Sequence, residues 1–400
     1  MFTELIIFLV LGVCAGIVTG LIPGIHINLV SLLLLSASPF LLQYTDVLSL
    51  GIFIISMSIT HTFLDAIPSI FLGAPDADQA MNVLPGHKLL LKGKGFEAVK
   101  LTVIGSLGAL ILSILLVPIL IPTVRFIYPL IKDYIGIILL VIVIYMIMKD
   151  NKRSWNFIVF IMSGILGLIV LNIPNLNNPL FPMLSGLFGL SMLVKSLAEK
   201  VNIPEQKITN TIKIKKSVLA QAIGSGTLAG TLTSFFPGLG PAQGAVLASQ
   251  LTRNLGNYGF MILVGGIGTV NMILSLVTLY TLDKARNGAV IVISQLLETI
   301  TLTQVGIFMS CILIVGGIAA YLTLNIAKVF SKVIGLVNYQ IMLLTIIIFI
   351  SALVFYFSGF LGIFILLIST MIGIVPGELG VARNHSMGCL LMPVILFFLL

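Results

Sequence analysis

Charge is what this chain has least of. Of 400 residues only 8% are Asp, Glu, Lys or Arg, against 58% hydrophobic, and mean hydropathy is +1.20. So few polar side chains cannot cover a soluble domain of this length, which excludes a water-soluble globular enzyme or regulator. Cysteine is scarce too. Cys14, Cys311 and Cys389 lie far apart in apolar segments without metal-ligand spacing, so neither a disulfide framework nor a metal site is expected. Catalytic signatures are missing: there is no GxSxG elbow, no P-loop, no HExxH and no nucleotide-binding domain. The chain is therefore read as not an enzyme, without a cofactor and without its own ATP drive. The net charge of +8 comes from short loops rather than basic runs interleaved with aromatics, so no nucleic-acid partner is expected. The start (Met1 to Thr3, Glu4, then apolar residues) lacks a basic n-region and an A-x-A-like site, so no cleaved signal peptide is expected.

What is present is a succession of apolar runs of about 17–25 residues, each long enough to span about 30 Å of hydrocarbon. The pattern predicts a hairpin at 3–44, then spans near 48–72, 99–122, 131–148, 156–172 and 180–197. A polar stretch from Lys195 to Lys216 follows, carrying Lys195, Lys200, Lys207, Lys213, Lys215, Lys216 and Pro204. After it the order recurs: a hairpin at 217–252, then spans near 258–281, 301–323, 339–357, 360–375 and 386–400. Segments 73–98 and 282–300 hold the same place in each half and are too polar or too short to be confident spans, so they read as re-entrant or interfacial.

Placing the linker in the cytoplasm puts Lys88, Lys92, Lys94, Lys100, Lys149, Lys152, Arg153, Arg253, Lys328, Lys332 and Arg383 on the same side, and only Arg125, Lys132, Lys284 and Arg286 outside. That asymmetry satisfies the positive-inside rule. The first hairpin then opens from outside and the second from inside. The expected fold is an all-α polytopic membrane protein of two inverted repeats, each a Pro-Gly-broken helical hairpin plus about five transmembrane helices and one re-entrant segment. The first repeat is 1–198, the cytoplasmic linker 199–216, the second repeat 217–400. The expected location is the cytoplasmic (plasma) membrane of a prokaryote, with the N-terminus outside.

One phrase occurs twice. Residues 16–30 read GIVTGLIPGIHINLV and residues 230–246 read GTLTSFFPGLGPAQGAV. Each apolar, glycine-rich run is stopped by Pro-Gly, at Pro23-Gly24 and Pro237-Gly238, where proline removes a donor and glycine loosens the backbone. Broken helices at matching positions of two halves point to the binding site of a secondary transporter. After the first break come His26 and Asn28, where a restarting helix presents unpaired N–H groups to an anion; the competing reading is that both side chains only satisfy freed carbonyls. After the second come Gly240 and Gln243, with tight helix packing as the competing reading.

The third span carries Thr60, His61 and Asp65. His61 and Asp65 lie four apart on one helix face and form a candidate proton relay or coupling-ion site, or simply a satisfied pair. The matching span offers Asn271, Ser275 and Thr278, with no titratable group. The loop around Asp76 and Asp78 matches Asp283 to Gly288, in which Arg286 is a candidate carboxylate clamp and Asp76 a candidate cation ligand; a solvated loop is the alternative. Gly377-Glu378 and Arg383-Asn384-His385 read as a polar turn.

At these residues the chain resembles the TctA family, the large membrane subunit of tripartite tricarboxylate transporters, and its shorter archaeal-type relatives. The first family block is matched by GIVTGLIPGI and by LGAPDADQAMNVLPGHKLLLKGKGFEAVKL, followed by Gly105. Phe181 to Gly189 is similar to its middle block, GTLAGTLTSFFPGLGPAQGA to its second Pro-Gly block, and Pro376, Arg383 and Gly388 to its last segment. The family's PEaANNA signature is reduced to Gly268-Thr269-Val270-Asn271-Met272, and its LGIPG turn is replaced by Leu282 to Arg286. The resemblance implies a carrier of small organic anions driven by an H⁺ or Na⁺ gradient. It also implies a possible small membrane subunit and extracytoplasmic binding protein; a homodimer is a further possibility. A polyprenyl-phosphate or other lipid-carrier translocase, using the same inverted-repeat architecture, is the alternative reading.

Overall fold

In the computed structural model the chain is helical, with no strand among the described residues, which are 2–22, 27–73, 80–81, 83–149, 152–174, 176, 178–198, 203–236, 239–252, 255–285, 287–334 and 339–400. The first Pro-Gly lies between α1 (Phe2–Leu21) and α2 (Ile27–Leu41). Next come α3 (Val47–Leu64), extended by a π-helical turn at Pro68–Leu72, then α4 (Val83–Leu90), α5 (Gly95–Ile131), α6 (Ile135–Lys149) and α7 (Arg153–Leu171). The polar linker follows α8 (Leu180–Leu184), a second π-helical turn at Ser185–Leu190 and α9 (Ser191–Ala198). Beyond it, α10 (Lys216–Phe235) and α11 (Pro241–Leu251) flank the second Pro-Gly. The chain continues through α12 (Gly256–Leu282), α13 (Gly288–Leu297), α14 (Leu302–Ile334), α15 (Tyr339–Leu379), a 3-10 turn at Arg383–Met387 and α16 (Gly388–Leu399).

Among the described residues 8 helical stretches are long and apolar enough to cross a membrane, so the chain is an all-helical polytopic membrane protein. Three details refine the sequence pattern. Helix α5 continues through Pro118, Pro122 and Pro129 to Ile131, because prolines are tolerated in membrane helices when neighbours re-satisfy the freed backbone. The expected spans at 339–357 and 360–375 form one run whose break is Gly359, at φ 63° and ψ −159°, a conformation essentially reserved for glycine. Segments 73–98 and 282–300 hold α4 of 8 residues and α13 of 10, about 12 and 15 Å long at 1.5 Å per residue, too short to cross on their own.

Two helices form the centre. Within its apolar stretch α12 is 94% buried and α3 83%, against 22% for α15, whose Tyr356, Phe360 and Phe364 point outward to where lipid would lie. Lipid tails are as apolar as leucine, so helices associate here by close packing over small residues. A methyl group added at Gly12 would meet the Phe53 carbonyl at 2.5 Å, and one at Gly16 the Met57 carbonyl at 2.6 Å and Thr60 Cβ at 2.5 Å. Gly20 faces Leu64 and His61 in turn. Both residue numbers rise together, so α1 runs parallel to α3. The second half packs alike. Gly226 faces the Leu263 carbonyl at 2.8 Å, and Gly230 the Ile267 carbonyl at 2.9 Å and Val270 Cβ at 2.6 Å, so α10 runs parallel to α12.

The ends of the molecule are distinct. The linker lies against the α4–α5 turn: Lys207 N–H donates to the Gly93 carbonyl at 2.9 Å, and Gly95 N–H donates to Gln206 Oε1 at 2.8 Å. Lys100, hydrogen-bonded to the Thr209 and Asn210 carbonyls, and Lys195, paired with Glu378 at 2.9 Å, lie on this linker face. At the opposite end Arg125 lies over the Tyr280 ring and Lys284 over the Tyr128 ring, each 5.4 Å from the centroid. Lys100 and Lys195 thus lie at one end of the fold, and Arg125 and Lys284 at the other.

Candidate functional site

Pro23, Gly24, His26, Asp76, Pro237, Gly238 and Arg286 lie outside the described residues. The others fall into two groups. The first begins at the restart of α2, where exposed Asn28 packs on the start of α13: a methyl group on Gly288 would stand 2.6 Å from Asn28 Cγ. Asn287 caps α13 by accepting the Val290 N–H at 2.9 Å, and its amide donates to Met272 Sδ on α12 at 3.4 Å. Asn271, half-buried, precedes Met272, and its carbonyl accepts the Ser275 hydroxyl at 2.6 Å.

Helix α12 then meets α3 through the hydroxyls of Thr269 and Thr62, 3.2 Å apart and fully enclosed. One residue earlier His61, buried, places Nδ1 3.2 Å from Thr19 Oγ1 on α1. Thr60 Oγ1 is buried with no hydrogen-bond partner. Asp65, buried, ends α3, its N–H donating to the His61 carbonyl at 2.9 Å. The structure thus links the first break, α3, α12 and α13 through polar side chains at mid-length of the two central helices.

At the second break Gln243 is 4% exposed and its Oε1 accepts the Gly240 N–H at 3.0 Å, so this side chain caps its own helix. Leu239 and Ala242 join an apolar cluster with Ala80, Phe188 and Met387. Nearby lies a cavity of about 240 Å³ bordered by α4, α9, the ends of α11 and α12, and the 383–387 turn. Sequence reasoning missed it. Its polar lining is Lys88, Ser249, Asn257, Arg383 and Asn384. The sequence read Arg383-Asn384 as a turn; it is a turn, but one that tucks the guanidinium inward, where Nη1 donates to the buried Ser191 hydroxyl at 3.2 Å. The signal available beforehand was an arginine inside a small-residue block ending at Gly388.

The cavity is cationic. Burial draws Arg383 down to about 10, so it stays protonated at neutral pH. His87, beside it on α4, is lowered to about 4, chiefly by burial, and is neutral. No group of three or more His, Cys, Asp or Glu side chains that could hold a metal ion occurs among the described residues.

The sequence model of the tripartite tricarboxylate transporter TctA family matches residues 6–388, nearly the whole chain. The chain belongs to the TctA family. An uncharacterized protein of Methanocaldococcus jannaschii is 32% identical over 412 aligned positions, covering 98% of this chain and 99% of its own length. No solved structure matches. Membership makes this chain a component of a transport system, in a family that works within tripartite transporters with other subunits.

Proposed function

We propose that the chain is a secondary active carrier that moves a small organic anion, such as a carboxylate, across the cytoplasmic membrane, coupled to H⁺ or Na⁺. The substrate site lies at the two Pro-Gly tips, with His26, Asn28, Gln243, Asn271 and Arg286 around it and Thr60, His61, Asp65 and Asp76 serving the coupling ion. The linker is cytoplasmic and the N-terminus outside.

The observation that carries this reading is the matched packing of the two hairpins. Phe53 and Leu263, Met57 and Ile267, and Thr60 and Val270 hold equivalent places against Gly12 and Gly226 or Gly16 and Gly230. Thr19 and Thr233 stand at the same offset, and each donates its hydroxyl to the carbonyl of the equivalent glycine, Gly16 at 3.3 Å and Gly230 at 3.0 Å. The same register pairs His61 with Asn271 and Asp65 with Ser275. It also pairs the left-handed residues that end the two central helical stretches, Gly73 and Asp283. This correspondence supports two repeats, 1–198 and 217–400. Parallel packing of α1 on α3 brings Gly20, the last small residue before the first Pro-Gly, level with His61 and Leu64, and that of α10 on α12 brings Gly230 level with Ile267 and Val270. Both are interior levels, where half-helix ends coordinate substrates in carriers.

The pairing is chemically unequal. Half one has His61 and Asp65 where half two has Asn271 and Ser275, so a titratable coupling group belongs to the first half alone. The lipid-carrier alternative gains little: the groove of about 380 Å³ between α6, α7 and α16 is lined by Leu140, Phe157, Met392 and other apolar residues only, with nothing to hold a phosphate headgroup. Uptake of labelled di- and tricarboxylates into proteoliposomes, under imposed H⁺ or Na⁺ gradients, tests the proposal. Gradient-dependent uptake abolished by His26→Ala or Gln243→Ala is expected. Absence of flux for every anion under both gradients overturns it.

A further inference from the structure

The cavity beneath α4 has a floor and a mouth. Phe188, Met192 and Val83 are buried and form the floor, whereas Lys88, Asn257 and Ala382 are exposed and form the rim. The rim lies on the linker face: Tyr258, next to Asn257, donates to Glu97 at 2.6 Å and accepts from Lys94 at 2.8 Å, just beyond the turn against which the linker lies.

Among the described lining residues the charged side chains are Lys88 and Arg383, both cations. Among the described residues the ion pairs are Lys94–Glu97 and Lys195–Glu378, and neither involves Lys88 or Arg383. Arg383 spends one N–H on Ser191 and retains further donors of its planar fork. A recessed cation without a counter-ion is costly. Asn384 adds an amide whose buried Oδ1 has no partner. Asn257 is the second residue of α12, whose N-cap makes no side-chain hydrogen bond, so the positive end of a 27-residue helix also borders the cavity. Two fixed cations, an amide and a helix N-terminus converge on a space of about 240 Å³. At about 30 Å³ per water that is room for roughly eight waters, which suits a compact anion and not a nucleotide or a lipid chain.

We infer that this cavity is an anion site on the linker face, in which Arg383 clamps one carboxylate of a small di- or tricarboxylate and Lys88 draws in the other end. The ligand class rests on the carrier reading; the site itself does not. Its described lining includes none of Asn28, Gln243 and Asn271, and on that reading it is where substrate waits or leaves on the linker side. A planar guanidinium suits a carboxylate because it donates two parallel N–H bonds, whereas Lys88 at the rim acts as a screened point charge.

Equilibrium binding of labelled citrate and succinate to the purified full chain in detergent tests this without any flux. Arg383→Gln should weaken binding about 10- to 100-fold. Arg383→Lys should keep part of the affinity, and Lys88→Gln should weaken it only a few-fold, with the loss vanishing at high salt. Arg125→Gln, at the opposite end, should change nothing. If Arg383→Gln does not fold, Asn384→Ala together with Lys88→Gln carries the test, with a combined loss of about 10-fold or more expected. Wild-type affinity in Arg383→Gln, or in that double variant, overturns the inference. So does binding of inorganic phosphate as tight as that of either carboxylate. Arg383-dependent binding without gradient-driven uptake would overturn the carrier reading alone; uptake and binding indifferent to Arg383 would overturn this site alone.

Discussion

Replacing Gly230 by alanine asks whether the second hairpin is held as tightly as its packing implies. The new Cβ would stand 2.6 Å from Val270 Cβ and 2.9 Å from the Ile267 carbonyl oxygen. Ordinary contact needs about 3.5–4.0 Å, so α10 must move off α12 by very roughly 1 Å. Overpacking of this kind costs about 1–3 kcal/mol. Alanine also gains about 1 kcal/mol over glycine in a helix interior, which masks part of the cost. Gly224, two turns earlier on α10, supplies the correction, because a methyl group there meets nothing within 4 Å. Gly224→Ala takes the helix gain alone, and the difference between the two variants isolates the packing term of about 1–3 kcal/mol. Gly16→Ala, which meets Thr60 Cβ at 2.5 Å and the Met57 carbonyl at 2.6 Å, should cost at least as much as Gly230→Ala. Apparent melting temperatures in detergent, read as loss of the monodisperse size-exclusion peak, should rank Gly224→Ala highest and Gly16→Ala lowest, several degrees apart. Equal melting of Gly230→Ala and Gly224→Ala would refute the close approach, and with it the matched packing of the two halves.

Gln206→Ala removes the acceptor of the buried Gly95 N–H and the donor to the Leu90 carbonyl. Orphaning such a group costs about 1–3 kcal/mol, so tryptic cleavage at the linker lysines should rise about 5- to 150-fold while the spans stay protected. A double-mutant cycle on Thr62→Val and Thr269→Val should return a coupling of about 0.6 kcal/mol, reaching at most about 1.7; strict additivity in thermal unfolding would mean the two hydroxyls do not bond. Gly359→Ala should destabilise by about 1–3 kcal/mol although nothing lies within 4 Å of its Cβ position, because the backbone there suits glycine alone; Gly317→Ala, equally open but helical, is the control and should be neutral or better in the same melt.

Membrane architecture was legible because its cause is local. Hydropathy over some 20 residues decides whether a segment crosses, and Pro-Gly decides where a helix stops, so α1 and α2, and α10 and α11, flank the breaks expected from two dipeptides. The charge pattern also carried: Arg125 and Lys284, assigned to the minority side, lie over Tyr280 and Tyr128 at one end. The cavity was not legible, and the reason is equally physical. Lys88, Ser249, Asn257 and Arg383 come from four separate stretches, and no local period or spacing joins them. Read locally, Arg383 is one cation in a polar turn; only the 3-10 turn that tucks it toward Ser191 makes it a recessed donor. Gln243 shows the reverse. Its spacing from Pro237-Gly238 suggested a ligand-facing amide, yet its Oε1 is committed to the Gly240 N–H. That leaves the amide nitrogen as the group of Gln243 with donors to spare.

On the carrier reading the two faces ought to be alternatives of one another, and the packing is unequal in the way one end state requires. The register that pairs Gly73 with Asp283 pairs Ala80 with Val290 and Val83 with Ile293. On the linker face Ala80 and Val83 border a cavity. All four are buried, but on the opposite face α2 closes on α13 so tightly that Gly288 has no room for a methyl group beside Asn28. On that reading the cavity is the opening on the linker face, and the Asn28–Gly288 contact is its closed counterpart opposite. The contact that must break for the opposite state is then Asn28 on Gly288, beside Asn287, whose amide reaches Met272 on α12. Opening that contact would disturb α12 at mid-length, where Thr269 meets Thr62, and through Thr62 the His61–Thr19 pair. On the carrier reading, this short run of neighbouring contacts joins the α2–α13 contact to His61 and is the physical route that ties a coupling ion to the movement of an anion.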